Sequence, residues 1–335
     1  MSKKLLIATL GTSPAVVTEA VDLLTEQNCR PDGVILIRTE DPDVREAYEL
    51  LANHLPQHDG LTWVESVSIG QYGDVDTPEA AVEFMQEACR ILKSYRDAGY
   101  RLFVSIAGGR KAMSALLALA VQFYGAERLF HIWAPPWLEA EGEIAQLRNL
   151  PEDVRIQKLH PPLNTMNAED RPRLVDLPFI GLFPWLEDIR DALKGKVPPD
   201  RSLKTLLQAN NLLDSQERPT KLGTAILSIL ESVEGLPPAR QDPCKIAIAN
   251  HHYCDRLERF ARELCVHFPF ITQIQSGEWR SGEAKVKAEP PNRLRVFELL
   301  DLDFSLQLIL ETTATTSGQL EAAKRAVERY LERRR

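Results

Sequence analysis

Residues 102–114 read LFVSIAGGRKAMS, and this stretch decides how the N-terminal half of the chain folds. Its first half is apolar and β-prone, which predicts a buried strand. Two glycines then break the strand, and residues 112–121 are strong helix formers. Backbone N–H groups at the start of such a helix lack partners, and Arg110 and Lys111 lie beside them. The stretch therefore predicts an anion-binding loop, with an ordinary turn and a solvated Arg-Lys pair as the alternative.

A second stretch near the N-terminus has the same organisation. Residues 3–9 form an apolar run that leads into LGTSP, and a helical pattern begins at Ala15. Gly11 permits a sharp turn, while Thr12 and Ser13 place hydroxyl groups near the start of the helix. Ligands of doubly wound sheets bind beyond the carboxyl ends of the strands. Both glycine loops leave their strands at that end, so we expect them to form one site.

Strand and helix patterns alternate along residues 1–160. The predicted strands are 3–9, 33–38, 61–68, 101–107 and 128–133. The predicted helices are 15–27, 42–54, 77–97 and 111–124. Such alternation predicts an α/β domain with a parallel sheet covered by helices on both faces.

The two glycine loops resemble those of the CARF domain, the Rossmann-like sensor of type III CRISPR defence, which binds cyclic oligoadenylate. The resemblance rests on ATLGTSPAVVTEA and SIAGGRKAMSALLALA and covers residues 1 to about 160. It implies a homodimer that binds one ring-shaped activator across its two-fold axis. Cyclic tetra-adenylate is the first candidate, although the sequence leaves the ring size open. The ligand-binding residues that the resemblance implies are Gly11, Thr12, Ser13, Gly108, Gly109, Arg110 and Lys111. Cleavage of the activator by the sensor itself is also left open.

Composition limits the classes of partner. The 335 residues carry a formal net charge of −8, which argues against a protein that coats nucleic acid. Residues 241–335 hold 15 Lys and Arg against 14 Asp and Glu, whereas the remainder holds 25 against 34. The more basic C-terminal part is the better candidate for a phosphate-bearing partner.

The five cysteines show no C-x-x-C spacing. This scattered set predicts reduced thiols in a cytoplasmic protein, and neither zinc nor another metal or enzymatic cofactor is expected from it. We also expect no signal peptide and no membrane partner, because no apolar run reaches the length of a membrane span.

We predict three domains: a sensor with its connector over 1–178, a helical module over 179–240, and a C-terminal domain over 241–335. The connector, rich in proline and acids, is expected to hold little regular structure beyond a short strand near 154–159.

The helical module contains two helical patterns, 202–210 and 225–233, which resemble a winged helix-turn-helix. Lys221 is the only basic residue near the start of the second pattern. This favours a spacer or dimerisation module over a DNA-binding one.

The C-terminal domain has the predicted order β, α, β, β, β, α, and its chemistry lies in AKVKAEPPNRLRVFELL, residues 284–300. Alternation puts Lys285 and Lys287 on one face of a strand, and Arg293 and Arg295 on one face of the next. If the faces coincide, the cations converge. Such a cluster suits RNA cleavage by attack of the 2′-OH on the neighbouring phosphate, with a crowded lysine as a candidate base. A solvated strand face is the alternative.

This pattern resembles the RelE family of mRNA interferases, which cut mRNA in the ribosomal A site. The resemblance implies that Lys285 and Lys287 are catalytic, with Arg295 as the best match for the family's arginine and Arg293 as the alternative. It implies the ribosome and mRNA as partners. The later basic residue of the family is replaced by TTATT, residues 312–316, and its late tyrosine has no match because Tyr330 is too far along. Residues 251–253, HHY, are candidate substitutes, although a capping loop is favoured for them.

Two rival functions remain. Arg262 and His267 have the spacing of HEPN nucleases, which are all-helical, so strands in this region would argue against that family. A ligand-controlled transcription regulator would instead bind a palindromic duplex through the helical module.

Overall fold

A computed structural model describes residues 2–70, 72–196, 201–248, 254–277, 285–301 and 304–333. The chain divides into two compact units. The first comprises residues 1–92 and 100–233, and the second comprises residues 93–99 and 234–335. The boundaries of the three predicted domains stay a prediction.

The first unit is built on a six-stranded sheet in the order β3-β2-β1-β4-β5-β6. Its strands are β1 (Lys4–Thr9), β2 (Gly33–Arg38), β3 (Trp63–Ser68), β4 (Arg101–Ser105), β5 (Arg128–Trp133) and β6 (Arg173–Asp176). The first five strands are parallel, as the alternating pattern predicts, and β6 is antiparallel to β5. Consecutive residues of β1 such as Leu5, Leu6 and Ile7 are all fully buried. Helices therefore cover both faces of the sheet.

Four long helices connect the parallel strands, and all four were predicted. They are α1 (Ala15–Glu26), α2 (Pro42–His58), α3 (Pro78–Asp97) and α4 (Lys111–Tyr124). Helix α2 shows why the boundaries are readable from the sequence: Pro42 occupies its first turn, and the Asp41 carboxylate accepts hydrogen bonds from the N–H groups of Asp43 (2.9 Å) and Val44 (3.4 Å). Apolar residues of α1 and α2 pack on one face of the sheet.

The connector contains helices where we expected sparse structure. They are α5 (Pro136–Glu141), α6 (Ile144–Leu147) and α7 (Glu152–Leu159). The predicted strand near 154–159 is wrong, because Pro151 followed by Glu152 and Asp153 starts a helix, with the acids at the positive end of its dipole. Leu159 is buried against Ala15 and Leu147, which fixes α7 beside the start of α1. The edge strand β6 was not predicted.

Residues 183–233 form a small helical region. A 3-10 turn (Phe183–Trp185) precedes α8 (Leu186–Leu193), α9 (Arg201–Ala209) and α10 (Lys221–Val233). The Thr220 hydroxyl accepts a hydrogen bond from the N–H group of Gly223 at 3.0 Å and caps α10. Helices α9 and α10 match the two predicted ones, and α8, which packs against α10, was not predicted. Their assignment to a winged helix-turn-helix stays a prediction.

The second unit contains a five-stranded sheet in the order β7-β8-β11-β10-β9. Its elements are β7 (Lys245–Ala247), α11 (Cys254–His267), β8 (Ile271–Ser276), β9 (Val286–Glu289), β10 (Arg293–Asp301), β11 (Phe304–Thr312) and α12 (Ser317–Arg333). Strands β7 and β8 are parallel and the other pairs are antiparallel. Helix α11 contacts β7 and β8, while α12 contacts β9 and β10. The mixed α+β character agrees with the prediction, but the predicted order is one strand short, because β8 and β9 are separate strands and four strands follow α11.

The cysteines do not all remain thiols. Cys244 and Cys265 form a disulfide with an S–S distance of 2.06 Å. The prediction of five reduced cysteines is wrong for this pair, because the fold brings together two residues that are 21 positions apart, with Cα atoms 6.1 Å apart. Spacing along the sequence does not reveal such a contact. Cys29, Cys89 and Cys254 take no part in a disulfide.

Across the parts of the chain that the structure describes, none of the helices has the length and apolar character needed to cross a membrane.

Candidate functional site

The loops after β1 and β4 touch through their backbones. A Cβ atom on Gly11 would lie 2.9 Å from the backbone nitrogen of Gly109, and one on Gly108 would clash with the carbonyl oxygen of Thr9. The Thr9 hydroxyl donates a hydrogen bond to the carbonyl oxygen of Gly108 at 2.5 Å. Glycine is therefore required at positions 11 and 108 because any side chain would separate the two loops.

These loops flank the point where the strand order reverses. The chain runs from β1 to β2 on one side of β1, and β4 leads to β5 on the other side. Open α/β sheets bind ligands in the crevice that forms at such a switch point, beyond the carboxyl ends of the strands. The crevice between these two loops is thus the place where the first unit is built to hold a ligand.

The second loop presents the start of α4 to this crevice. Gly109 has a φ of 78°, which a glycine adopts without strain, and Arg110 is the extended N-cap residue. The Ser114 hydroxyl donates to the carbonyl oxygens of Ile106 (2.9 Å) and Gly108 (3.3 Å), which holds the loop against the helix. The first N–H groups of α4 and the exposed side chains of Arg110 and Lys111 together form a cationic surface that suits a phosphate.

An acid that the sequence analysis missed contacts this surface. The Arg110 guanidinium lies 3.3 Å from the Asp74 carboxylate, with 63% and 37% of the two side chains exposed. An exposed pair of this kind contributes at most about 1 kcal/mol, so a phosphate can displace it. Asp74 belongs to the loop that follows β3, and loops after parallel strands share one edge of the sheet. The position of Asp74 in this loop could therefore have identified it as a candidate site residue from the sequence.

Hydrogen bonds to the connector hold the loop after β1 in place. The Ser13 hydroxyl donates to the carbonyl oxygen of Gly142 at 3.2 Å, and the N–H group of Ile144 donates to the carbonyl oxygen of Thr12 at 2.7 Å. The structure thus brings the seven residues of the expected ligand site to one edge of the sheet. They are Gly11, Thr12, Ser13, Gly108, Gly109, Arg110 and Lys111.

In the second unit, the register of β9 and β10 places the four predicted catalytic cations on one face. Lys287 lies opposite Arg295, and the N–H group of Phe297 continues the register by donating to the carbonyl oxygen of Lys285 at 2.7 Å. Arg293 lies two residues before Arg295 on the same strand. The intervening residues Val286, Leu294 and Val296 are fully buried on the opposite face. We call Lys285, Lys287, Arg293 and Arg295 the cationic face.

Two acids that the sequence analysis did not consider share this face. Arg295 Nε lies 2.6 Å from Glu289 Oε1, and Arg293 Nε lies 3.9 Å from Glu311 Oε1. The hydrogen bond from Arg295, followed by the charges of Lys287 and Arg293, lowers the pKa of Glu289. Glu289 is consequently an anion at neutral pH, and the four cations outnumber the two acids.

The remaining residues that were compared with RelE enzymes either stabilise the fold or lie away from the cationic face. Thr312 donates from its hydroxyl to the carbonyl oxygen of Asn292 at 2.8 Å, and Thr313 donates to that of Pro238 at 2.5 Å. Tyr330 donates to Glu263 of α11, among the helices rather than on the cationic face. Residues 251–253 lie outside the described residues.

The HEPN alternative fails on the fold. Arg262 is exposed on α11 and forms an ion pair with Glu258 at 3.4 Å, while the His267 ring packs 4.2 Å from that of Tyr330. Both residues belong to a unit with a five-stranded sheet. An all-helical nuclease domain is therefore excluded here.

Comparison with known protein families shows which family this chain belongs to. The sequence profile described as CRISPR-associated protein NE0113 matches residues 13–212, more than half of the sequence. The chain belongs to the CRISPR-associated NE0113 family. The match spans the loops after β1 and β4 except for the first residues of the first loop. No curated protein matches this member of the family.

The solved structures that are similar to this NE0113 family member include the following three. Enterococcus italicus Csm6 bound to cyclic hexa-2′-fluoro-hexa-dAMP shares 13% identity at a TM-score of 0.40, over 69% of this chain and 53% of Csm6. A type III CRISPR defence DNA nuclease activated by cyclic oligoadenylate shares 17% at 0.31, over 70% of this chain and 34% of the nuclease. Protein VC1899 from Vibrio cholerae shares 10% at 0.32, over 92% and 77%.

The chain thus spans about half the length of Csm6 and about a third of the nuclease. At TM-scores below 0.5, these similarities assign no activity to this member of the NE0113 family.

One buried carboxyl group lies near the first loop and was also missed. Glu19 of α1 is only 2% exposed, and its Oε2 atom has no hydrogen-bond partner among the described residues. Burial, followed by repulsion from Glu139 and Asp22, raises the pKa of Glu19 to about 8. Glu19 is therefore mostly protonated in the folded protein at neutral pH.

We expect Glu19→Gln to remove a pH dependence of stability. The unfolded chain releases the Glu19 proton near its ordinary pKa of 4.5, whereas the folded chain keeps it up to about 8. The free energy of unfolding of the native protein should therefore fall as pH rises through this window, by roughly 5 kcal/mol in total. Glu19→Gln should flatten this slope and raise stability most at pH 8 and above.

Urea unfolding between pH 5 and pH 9 measures this effect. The matched control is Glu139→Gln, which changes an exposed acid and should keep most of the slope. Parallel stability curves for the native protein and Glu19→Gln would show that the carboxyl group is not buried in its neutral form.

Proposed function

We propose that this chain is a ribonuclease of type III CRISPR defence that cyclic oligoadenylate activates and that cleaves mRNA on the ribosome. The observation that carries the proposal is the pair of glycine loops packed at the switch point, with Arg110 and Lys111 at the start of α4. Membership of the NE0113 family supports the role in CRISPR defence.

The chemistry of the switch-point crevice fits a small phosphodiester ring. Backbone N–H groups and two cations bind phosphate oxygens, while the glycines allow close approach of the ligand to the backbone. The cationic surface of one chain is too small for a long polyanion, so a compact activator with few phosphates fits it better. We propose cyclic tetra-adenylate as the first candidate, bound by the seven residues of the two loops.

The cationic face supplies the groups for RNA cleavage. In this reaction the 2′-oxygen bonds to phosphorus, the bond to the 5′-oxygen breaks, and a proton moves from the 2′-hydroxyl to solvent or a base while another reaches the leaving oxygen. Lys285, Lys287 and Arg295 would bind the phosphate and stabilise the charge that grows on its oxygens, with Arg293 near the rim. Glu289 holds Arg295 in place. We propose that the ribosome orients the 2′-hydroxyl for in-line attack.

A two-fold dimer and a cytoplasmic location complete the proposal. Large apolar side chains are exposed on α4 and in the segment around the 3-10 turn: Leu119 (46%), Ile180 (75%), Phe183 (50%) and Trp185 (52%). Exposed apolar surface of this kind is typical of an interface. We propose a second copy of the chain as its partner, which would bring two switch-point crevices to one activator.

Translation-coupled cleavage of mRNA tests this function. The 335-residue chain is added to a reconstituted translation reaction with cyclic tri-, tetra- or hexa-adenylate, or with none, and cleavage sites are mapped by primer extension. We expect cuts within ribosome-bound codons with one ring size only. Naked mRNA with the same activator is the control and should be cut far more slowly.

Two outcomes would contradict the proposal. Equal cleavage with and without every ring would show that the first unit does not control the second. Rapid, activator-dependent cleavage of naked RNA would retain the sensor and the nuclease and remove the ribosome from the mechanism.

A further inference from the structure

Four side chains with metal-binding atoms meet at the ends of two helices in the first unit. His54 and His58 lie one turn apart on α2, Asp59 follows at its C-terminus, and His160 follows α7. One donor atom from each residue lies within 4.8 Å of the others. The cluster is at the C-terminal end of α2, next to the start of β3. It is therefore at the opposite edge of the sheet from the switch-point crevice.

The donor atoms lie close to one another, and the rings of His58 and His160 are stacked with their centroids 4.1 Å apart. The Nε2 atoms of His54 and His160 are 2.8 Å apart, and His160 Nε2 lies 3.6 Å from Asp59 Oδ2. A ring nitrogen of His58 lies 3.6 Å from the other carboxylate oxygen of Asp59. Neighbouring ligands of a tetrahedral zinc ion are about 3.3 Å apart, given metal–nitrogen distances of about 2.0–2.1 Å. Rotation of the His58 ring out of its stack on His160 would place all four donors around one ion.

A second carboxylate orients the central histidine. His160 Nδ1 lies 2.9 Å from Asp22 Oδ2, a geometry in which the ring N–H donates to the carboxylate. This contact leaves the lone pair of Nε2 directed at His54 and Asp59. Histidines that bind metals almost always donate their other ring N–H in this way, which fixes the tautomer and makes the ligand more basic.

The surroundings favour a cation independently of these distances. Asp59 Oδ2 is buried and has no hydrogen-bond partner among the described residues, although it faces an imidazole. Both α2 and α7 end at the cluster, and the C-terminal end of a helix carries a partial negative charge. The side chains of Asp59 and His160 are only 12% and 10% exposed, so little water reaches them to solvate the negative charge of Asp59.

We propose that His54, His58, Asp59 and His160 bind a zinc ion, with Asp22 as a positioning residue. Three imidazoles and one carboxylate form a donor set that suits zinc, and four protein ligands make the site structural rather than catalytic. The ion joins the end of α2 to the end of α7, about a hundred residues later in the chain. It thereby fixes the connector, whose earlier part holds the loop of Thr12 and Ser13.

Metal content and affinity test the site without any use of nuclease activity. The 335-residue chain is stripped with a chelator and titrated with Zn²⁺, and its metal content is measured by mass spectrometry. We expect one zinc per chain and a higher unfolding temperature with zinc than with chelator. His54→Ala and His160→Ala should each weaken zinc binding at least 100-fold. The matched control is His131→Ala, an exposed histidine of β5, which should bind zinc normally.

Cobalt substitution separates a ligand from a positioning residue. Co²⁺ bound by nitrogen and oxygen in a tetrahedral site gives intense visible bands without a thiolate charge-transfer band. Asp22→Asn should keep one metal per chain, shift these bands and weaken binding about 10- to 100-fold. His58→Gln alters a side chain that is 41% exposed, so it should fold normally and still lose affinity.

The proposal is wrong if the stripped chain binds no zinc, or if zinc binds equally well to native protein, His54→Ala and His160→Ala. A thiolate band in the cobalt spectrum would also overturn it, because the metal would then be on Cys29, Cys89 or Cys254. Failure of these tests would leave the proposed nuclease function untouched, and an inactive nuclease would leave the zinc site untouched.

Discussion

Lys287→Ala should lower ribosome-dependent mRNA cleavage by about 100- to 1,000-fold, while binding of the cyclic activator stays unchanged. The expected loss follows from the position of Lys287 directly opposite Arg295, on the exposed face of the second unit. A charge that is held in place before the reaction stabilises the transition state without further rearrangement, and removal of one such donor typically costs this factor. Lys285→Ala should act in the same direction, since Lys285 precedes Lys287 on the same side of the strand.

The control for this experiment is Lys324→Ala. Lys324 is on α12, where it lies near Glu321 and Glu328 rather than on the cationic face. Its loss should leave the cleavage rate within about twofold of the native value. Calorimetry on each variant checks that activator binding is preserved. Full activity of the Lys285→Ala, Lys287→Ala double variant would rule out the cationic face as the active site.

The sequence predicts the sheet of the first unit well because periodicity and chain breaks coincide there. Continuous apolar runs mark strands that are buried on both faces, and glycine or proline marks nearly every boundary. The secondary structure of the connector is harder to predict. Helix α7 is short, and its packing depends on Leu159 meeting Ala15, a contact between residues far apart in the sequence. Local propensity contains no record of such a contact.

For the candidate sites too, local sequence patterns are predictable, whereas contacts that the fold creates are not. Arg110 and Lys111 can be found because they follow a strand and two glycines, a local pattern with a physical meaning. Asp74 and Glu289 were missed because their roles depend on which loops and strands become neighbours. The zinc ligands include a local signal, histidines four residues apart on a helix followed by an aspartate. A search restricted to cysteine spacing overlooks it, and His160 joins the set only through the fold.

The double variant Arg110→Ala, Lys111→Ala should weaken binding of cyclic oligoadenylate at least about 100-fold. A hydrogen bond to a charged group contributes about 1.5–3 kcal/mol, which corresponds to about 10- to 150-fold in affinity. The two residues are neighbours, so their effects need not add in full. The fold should survive, because both side chains are exposed and the loop is held by Thr9 and Ser114.

Asp74 allows this expectation to be tested in the opposite direction. Asp74→Asn removes the acid that competes with the ligand for Arg110, so activator affinity should rise a few-fold at low salt. The gain should disappear in the Arg110→Ala background, because the competition needs both side chains. The matched control is Lys221→Ala, which removes an exposed cation at the start of α10, away from the crevice. If the double variant binds every ring as tightly as the native protein does, the activator site is not between these loops. A phosphodiester ring bound there would contact at least one of the two cations.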